Sequence, residues 1–180
     1  MSRRCAGSIL AAELMLAALG APVAMAQDES THPACTGAPV APPPELAAWP
    51  SQGALTAAAK AGDLASASLV IGKAFKATLQ HTPDVKYVLR PEKPGGSVSY
   101  GGLLQVTITE AGSYRLALGN ASWIDVVKDG AAMLSTAHKP GPACSGIRKM
   151  VDFKLEPGVY TVQLSAGADT ATGILVAKLP

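Results

Sequence analysis

The sequence predicts an all-β protein, an antiparallel β-sandwich of eight or nine strands, jelly-roll-like, behind a Pro/Ala-rich N-terminal arm. Two observations carry this. Apolar residues alternate with polar ones at a period of two through most of the chain after residue 68. Gly, Pro and Asp-Gly turn signals punctuate those runs at roughly regular spacing. At 180 residues the chain is long enough for a single core.

The central run is 99–119. Leu104, Val106 and Ile108 alternate with Gln105, Thr107 and Thr109, and after Glu110-Ala111-Gly112 the pattern resumes at Tyr114, Leu116 and Leu118. Two such strands about a short Gly turn predict an antiparallel hairpin with one apolar face, which further strands must cover. Glu156-Pro157-Gly158-Val159-Tyr160 repeats the turn chemistry of Glu110-Ala111-Gly112-Ser113-Tyr114, so a second, similar hairpin is expected there.

In chain order, Arg3 and Arg4 precede an apolar run from Ile9 to Val23, broken by Glu13, and Ala24-Met25-Ala26 ends it. Residues 1–26 thus read as a signal peptide cleaved after Ala26, which sends the mature chain to the periplasm or outside the cell. No later stretch is long and apolar enough for a membrane span. Cleavage removes Arg3, Arg4 and Glu13, leaving 13 basic and 12 acidic residues and a net charge of +1. That balance is no footprint for nucleic acid.

Cleavage also removes Cys5 and leaves Cys35 and Cys144. In an exported protein their natural pairing is a disulfide; a reactive or metal-binding thiol is the alternative, without a C-x-x-C spacing to favour it. Residues 27–68 form the arm. Pro39, Pro42, Pro43, Pro44 and Pro50 favour extended geometry, and Leu55–Ala61 is a candidate short helix ended by Gly62.

Residues 69–180 form the sandwich. Phe75, Ala77 and Leu79 mark one strand, and Val85, Tyr87 and Leu89 mark another beyond His81-Thr82-Pro83-Asp84. Pro91, Pro94, Gly95 and Gly96 make a loop. Residues 123–128 and 132–135 flank an Asp129-Gly130 hairpin turn. A loop over 136–146 carries Cys144. Strands at Val151–Leu155, Tyr160–Leu164 and Gly173–Leu179 complete the set.

Candidate chemistry gathers in the loop His138-Lys139-Pro140-Gly141-Pro142-Ala143-Cys144-Ser145-Gly146, followed by Arg148 and Lys149. Anchored at Cys144, it would present His138, Lys139, Arg148 and Lys149 at one rim, suited to a carboxylate or another small anionic ligand. Trp123 is a candidate stacking surface for it. A metal site would need His81 and His138 with Asp84 or Glu92, since the mature chain otherwise holds only His32. There is no nucleophile elbow, P-loop or dinucleotide fingerprint.

The run G-x-Y-x-L-x-L, with W-I-D-V-V-K-D-G and E-P-G-V-Y-T-V-Q-L, resembles the small β-sandwich modules called bacterial pre-peptidase C-terminal domains over residues 75–179. That resemblance implies a non-catalytic appendage. Arg90–Gly102 (R-P-E-K-P-G-G-S-V-S-Y-G-G), Trp123–Val127 (W-I-D-V-V) and Pro142–Phe153 (P-A-C-S-G-I-R-K-M-V-D-F) resemble more closely a family of small exported bacterial proteins of unknown function. Members of that family are sometimes labelled homogentisate 1,2-dioxygenase, which would imply iron held by two histidines and an acid and an aromatic substrate. No motif here matches those ligands residue by residue. The sequence reading is therefore an exported, non-enzymatic binding or accessory protein of the cell envelope, with no cofactor and with a small anionic ligand or an envelope protein as partner. The alternative is a small non-haem-iron dioxygenase using His81 and His138.

Overall fold

A computed structural model describes residues 35–180. The leader assigned to 1–26, the start of the arm and His32 lie outside the described residues. Among the described residues twelve strands form two facing sheets, with no helix beyond short 3-10 turns. The first sheet orders β1 (Gln52–Thr56), β3 (Ala74–Thr78), β12 (Ala171–Lys178), β6 (Gly112–Leu118), β10 (Lys149–Leu155) and β9 (Ser135–Pro140). The second orders β2 (Ser68–Leu69), β5 (Tyr100–Ile108), β11 (Gly158–Gly167), β7 (Trp123–Lys128) and β8 (Ala131–Ala132), with β4 (Gln80–His81) also on β5. Leu104, Leu116, Val126, Val162 and Ile174 are fully buried in the shared core. Among the described residues no helix is long and apolar enough to cross a membrane.

The sandwich is as expected, but its central turns are not hairpins. β5 pairs with β11 and β6 pairs with β10, so Glu110-Ala111-Gly112 carries the chain from one sheet to the other. Glu156-Pro157-Gly158 makes the same crossing in reverse. An inward-facing alternation is satisfied equally by a strand alongside or a strand opposite, so the pattern alone does not separate the two. The tyrosines lock both crossings. Tyr114 Oη donates to Glu110 O at 2.7 Å and Tyr160 Oη to Glu156 O at 2.9 Å, each ring 1% exposed. Both are tyrosine corners, the phenol satisfying a carbonyl where the chain leaves its sheet.

Four further expectations change. Leu55–Ala61 is not helical: β1 runs parallel to β3, and a 3-10 segment, Ala61–Ser66, leads to β2, which runs parallel to β5. The arm assigned to 27–68 therefore gives an edge strand to each sheet, and the sheets are mixed rather than wholly antiparallel. Val85, Tyr87 and Leu89 form no strand. Within 136–146, Ser135–Pro140 is an edge strand, hidden from pattern reading because every side chain on it is exposed. The Asp129-Gly130 turn stands as expected, with both φ positive as a two-residue hairpin loop needs.

Each sheet also has a cover on its outer face. Residues 35–51 lie over the first sheet, where Leu46 and Trp49 pack with Ala117, Met150, Leu175 and Ala177. Arg115 makes a two-pronged contact with Asp152, 2.7 Å on each prong, and reaches Glu45 of the arm. Its partners, Asp152 first, raise the guanidinium pKa further. Cys35 and Cys144 form a disulfide with Cα atoms 5.1 Å apart. Residues 85–99 form a strap over the second sheet.

Candidate functional site: a tryptophan flanked by two lysines

On β7, Ile124 and Val126 turn into the core, so alternation sends Trp123 and Asp125 to the outer face. Register sets Gln163 opposite Asp125 and Ser165 opposite Trp123 on β11. Both Gln163 and Ser165 are fully buried, although they face outward, because the strap lies on them. Gln163 Oε1 accepts from the backbone N–H groups of Val88 and Leu89 at 2.8 and 3.1 Å, and its Nε2 donates to Leu89 O at 3.0 Å. Ser165 Oγ donates to Lys93 O at 2.7 Å. Tyr87 Oη donates to Leu164 O at 3.1 Å. Gly101 admits that phenol: a Cβ there would collide with Tyr87 Oη and Leu164 O.

So held, the strap sets Lys93 Nζ 5.1 Å from the centre of the Trp123 ring. Lys149, the first residue of β10, comes from the facing sheet. Its Nζ lies 5.6 Å from the same ring and donates to Ser122 O at 2.7 Å. Both distances are within cation–π range. The indole N–H donates to Asp125 Oδ1 at 2.9 Å, which fixes the ring plane. Asp125 Oδ2 is buried and makes no hydrogen bond among the described residues.

The electrostatics follow. Burial first, then the like charges of Lys93 and Arg148, lower the Lys149 ammonium pKa, with Asp125 opposing. Burial raises the Asp125 carboxyl, against the Trp123 N–H and the Gln163 amide. Neither Lys93 nor Lys149 belongs to an ion pair among the described residues. Two ammonium groups thus lie within cation–π range of one indole ring, neither of them in an ion pair among the described residues.

Of the predicted site residues, the structure gathers Trp123 and Lys149, with Arg148 close enough to act on Lys149. His138 and Lys139 are not part of this cluster. They stand exposed on the edge strand β9, opposite Val151 and Met150, and Lys139 projects from the face opposite to Lys149. The loop expected to carry all four cations to one rim is half strand, and alternation puts Lys139 on the face opposite to Lys149.

Sequence reasoning missed Lys93, Asp125, Gln163 and Ser165. Lys93 lies in 90–102, Trp123 and Asp125 in 123–127, and Arg148 and Lys149 in 142–153, three stretches well separated in sequence. They converge in space.

His81 and His138 stand on different sheets. His81 lies on β4, exposed, its ring 5.8 Å from that of Tyr100 in the second sheet, whereas His138 edges the first. Among the described residues no three His, Cys, Asp or Glu side chains stand close enough to hold a metal ion. Two surface grooves lie elsewhere, one beside Leu55 and Gln80 and one between the arm and Cys144. No family model matches the chain, and no curated protein matches it.

Proposed function

We propose that this protein is an exported, non-enzymatic β-sandwich serving the cell envelope as a binding or accessory module, and that it takes an anionic ligand at the Trp123 rim. The observation that carries the reading is the pair of ammonium groups, Lys93 and Lys149, on one indole with no ion pair of their own among the described residues. An arriving oxyanion would relieve their mutual repulsion and gain charge-assisted hydrogen bonds. Trp123 offers a rigid wall with its N–H already occupied. The basic leader and the Cys35–Cys144 disulfide support an oxidising destination outside the cytoplasm.

Calorimetric titration of the mature protein with citrate and with inorganic phosphate at low ionic strength tests the reading. Lys149→Ala and Trp123→Ala should each weaken binding, Lys149→Ala by about tenfold or more, the loss of one charge-assisted contact. Far-UV circular dichroism should stay unchanged. Undiminished affinity in both variants would reject the site. Cell fractionation with disulfide mapping checks the export.

A further inference from the structure

The strap is fastened in an unusual way for a surface loop. Its central fastener is a fully buried glutamine whose amide oxygen accepts from the backbone N–H groups of residues 88 and 89 and whose nitrogen donates to Leu89 O, and a fully buried serine then fixes the carbonyl of Lys93 itself. Gln163 and Ser165 hold backbone groups of the strap, so this fastening sets where Lys93 begins without engaging its ammonium. That ammonium is left over Trp123, on the same ring as Lys149.

We propose that Gln163 is a positioning residue, which holds the strap so that Lys93 and Lys149 together form a two-ammonium clamp for an oxyanion on Trp123. The inference rests on the Trp123 rim being the binding site and adds how the site is assembled. The ligand chemistry is an oxygen-bearing anion, carboxylate or phosphate, small enough to touch both ammonium groups. Arg148 acts on Lys149 from the side of the first sheet, and Asp125 and Glu92 supply the acidic groups near the rim. Gln163 touches no ligand in this arrangement. Its effect passes through Lys93.

That claim has a signature which a merely structural residue would not share. In ligand-free protein, the Lys149 ammonium is titrated by NMR in the wild type, in Lys93→Ala, in Gln163→Ala and in the double variant. Removing Lys93 relieves Lys149 of a like charge, so its pKa should rise. Gln163→Ala, by releasing the strap, should raise it in the same direction, and the double variant should match Lys93→Ala alone. Ser165→Ala, which deletes one contact to the strap without opening a large void, should give a smaller rise and decides the matter if Gln163→Ala does not fold. The proposal is overturned if Lys149 titrates as in the wild type in whichever of these two variants is folded, or if the double variant shifts well beyond Lys93→Ala.

Inorganic phosphate, titrated against the same set, separates this inference from the reading beneath it. Equal fold losses of phosphate affinity in Lys93→Ala, Gln163→Ala and the double variant support positioning. Independent, multiplying losses overturn it. No phosphate binding by the wild type, with the titration pattern intact, would remove the binding reading while leaving Gln163 as the residue that places Lys93.

Discussion

The two outer faces of this sandwich are covered in contrasting ways. Over the first sheet the arm is held by apolar burial of Leu46 and Trp49, by the Glu45–Arg115–Asp152 ion cluster and by the Cys35–Cys144 disulfide. Over the second sheet the strap is held largely by hydrogen bonds between the side chains of Gln163, Ser165 and Tyr87 and main-chain atoms. Apolar burial is non-directional and adds stability in proportion to area. Hydrogen bonds add little net stability but fix geometry to tenths of an ångström. The difference teaches which cover serves the fold and which serves the site: perturbing the arm should move stability, and perturbing the strap should move the electrostatics at Trp123.

The largest effect is expected from the disulfide. Cys35 and Cys144 are 109 residues apart, and on the chain-entropy model replacing both by Ser costs about 4–5 kcal/mol. The urea midpoint should fall accordingly, with Lys149 titrating as before. Asp152→Ala comes next. It leaves Arg115, 8% exposed, without its two-pronged partner, at a cost of about 3–5 kcal/mol. Trp49→Ala belongs to the same range, about 3–5 kcal/mol through lost burial and the cavity left behind. If any of these three also shifts the Lys149 titration, the division between the covers fails.

Gln163→Ala should cost less, about 1–3 kcal/mol, because the strap amides it releases can turn to water. Tyr160→Phe, which takes the phenol from a tyrosine corner, should cost about 1 kcal/mol and leave the site alone. A pH series sharpens the comparison further. Lys149 titrates below its ordinary value of 10.5, so between its lowered pKa and 10.5 the unfolded chain binds more protons, and stability from this group rises with pH there. Asp125 titrates above its ordinary value of 3.8. Between 3.8 and its raised pKa the folded chain binds more protons, and stability from this group falls as pH rises. Asp125→Asn should abolish that fall, as read by denaturation midpoints across the acid range.

How much of this was legible follows the same physics. Alternation at Leu104–Ile108, Tyr114–Leu118 and Val151–Leu155 revealed strands because their inward faces bury apolar side chains. It did not reveal which sheet each strand joins, since both sheets face one core. The repeated Glu-x-Gly-x-Tyr turns were visible as a pair, and their meaning as crossings needed the tyrosine hydrogen bonds. β1 and β2 escaped because an Ala-rich stretch carries weak strand preference and is held by edge pairing. The strap imitated a strand at Val85, Tyr87 and Leu89 because a loop pressed on a sheet also buries alternate residues. At the site, Trp123 and Lys149 were nameable from their chemistry. Lys93 was not: an exposed lysine between two prolines has no local signal, and only the register of Gln163 and Ser165 with β7 brings it to the ring.

The central claim is that Lys93 and Lys149 act together on an oxyanion at Trp123. The most direct measurement follows every lysine ammonium by NMR while inorganic phosphate is added, with sodium chloride at matched ionic strength as the control. Saturable shifts of Lys93 and Lys149 with phosphate alone, with Lys128 and Lys178 unmoved, are the predicted result. Shifts of the same size in both salts, or spread evenly over all lysines, would reduce the effect to screening and contradict the account.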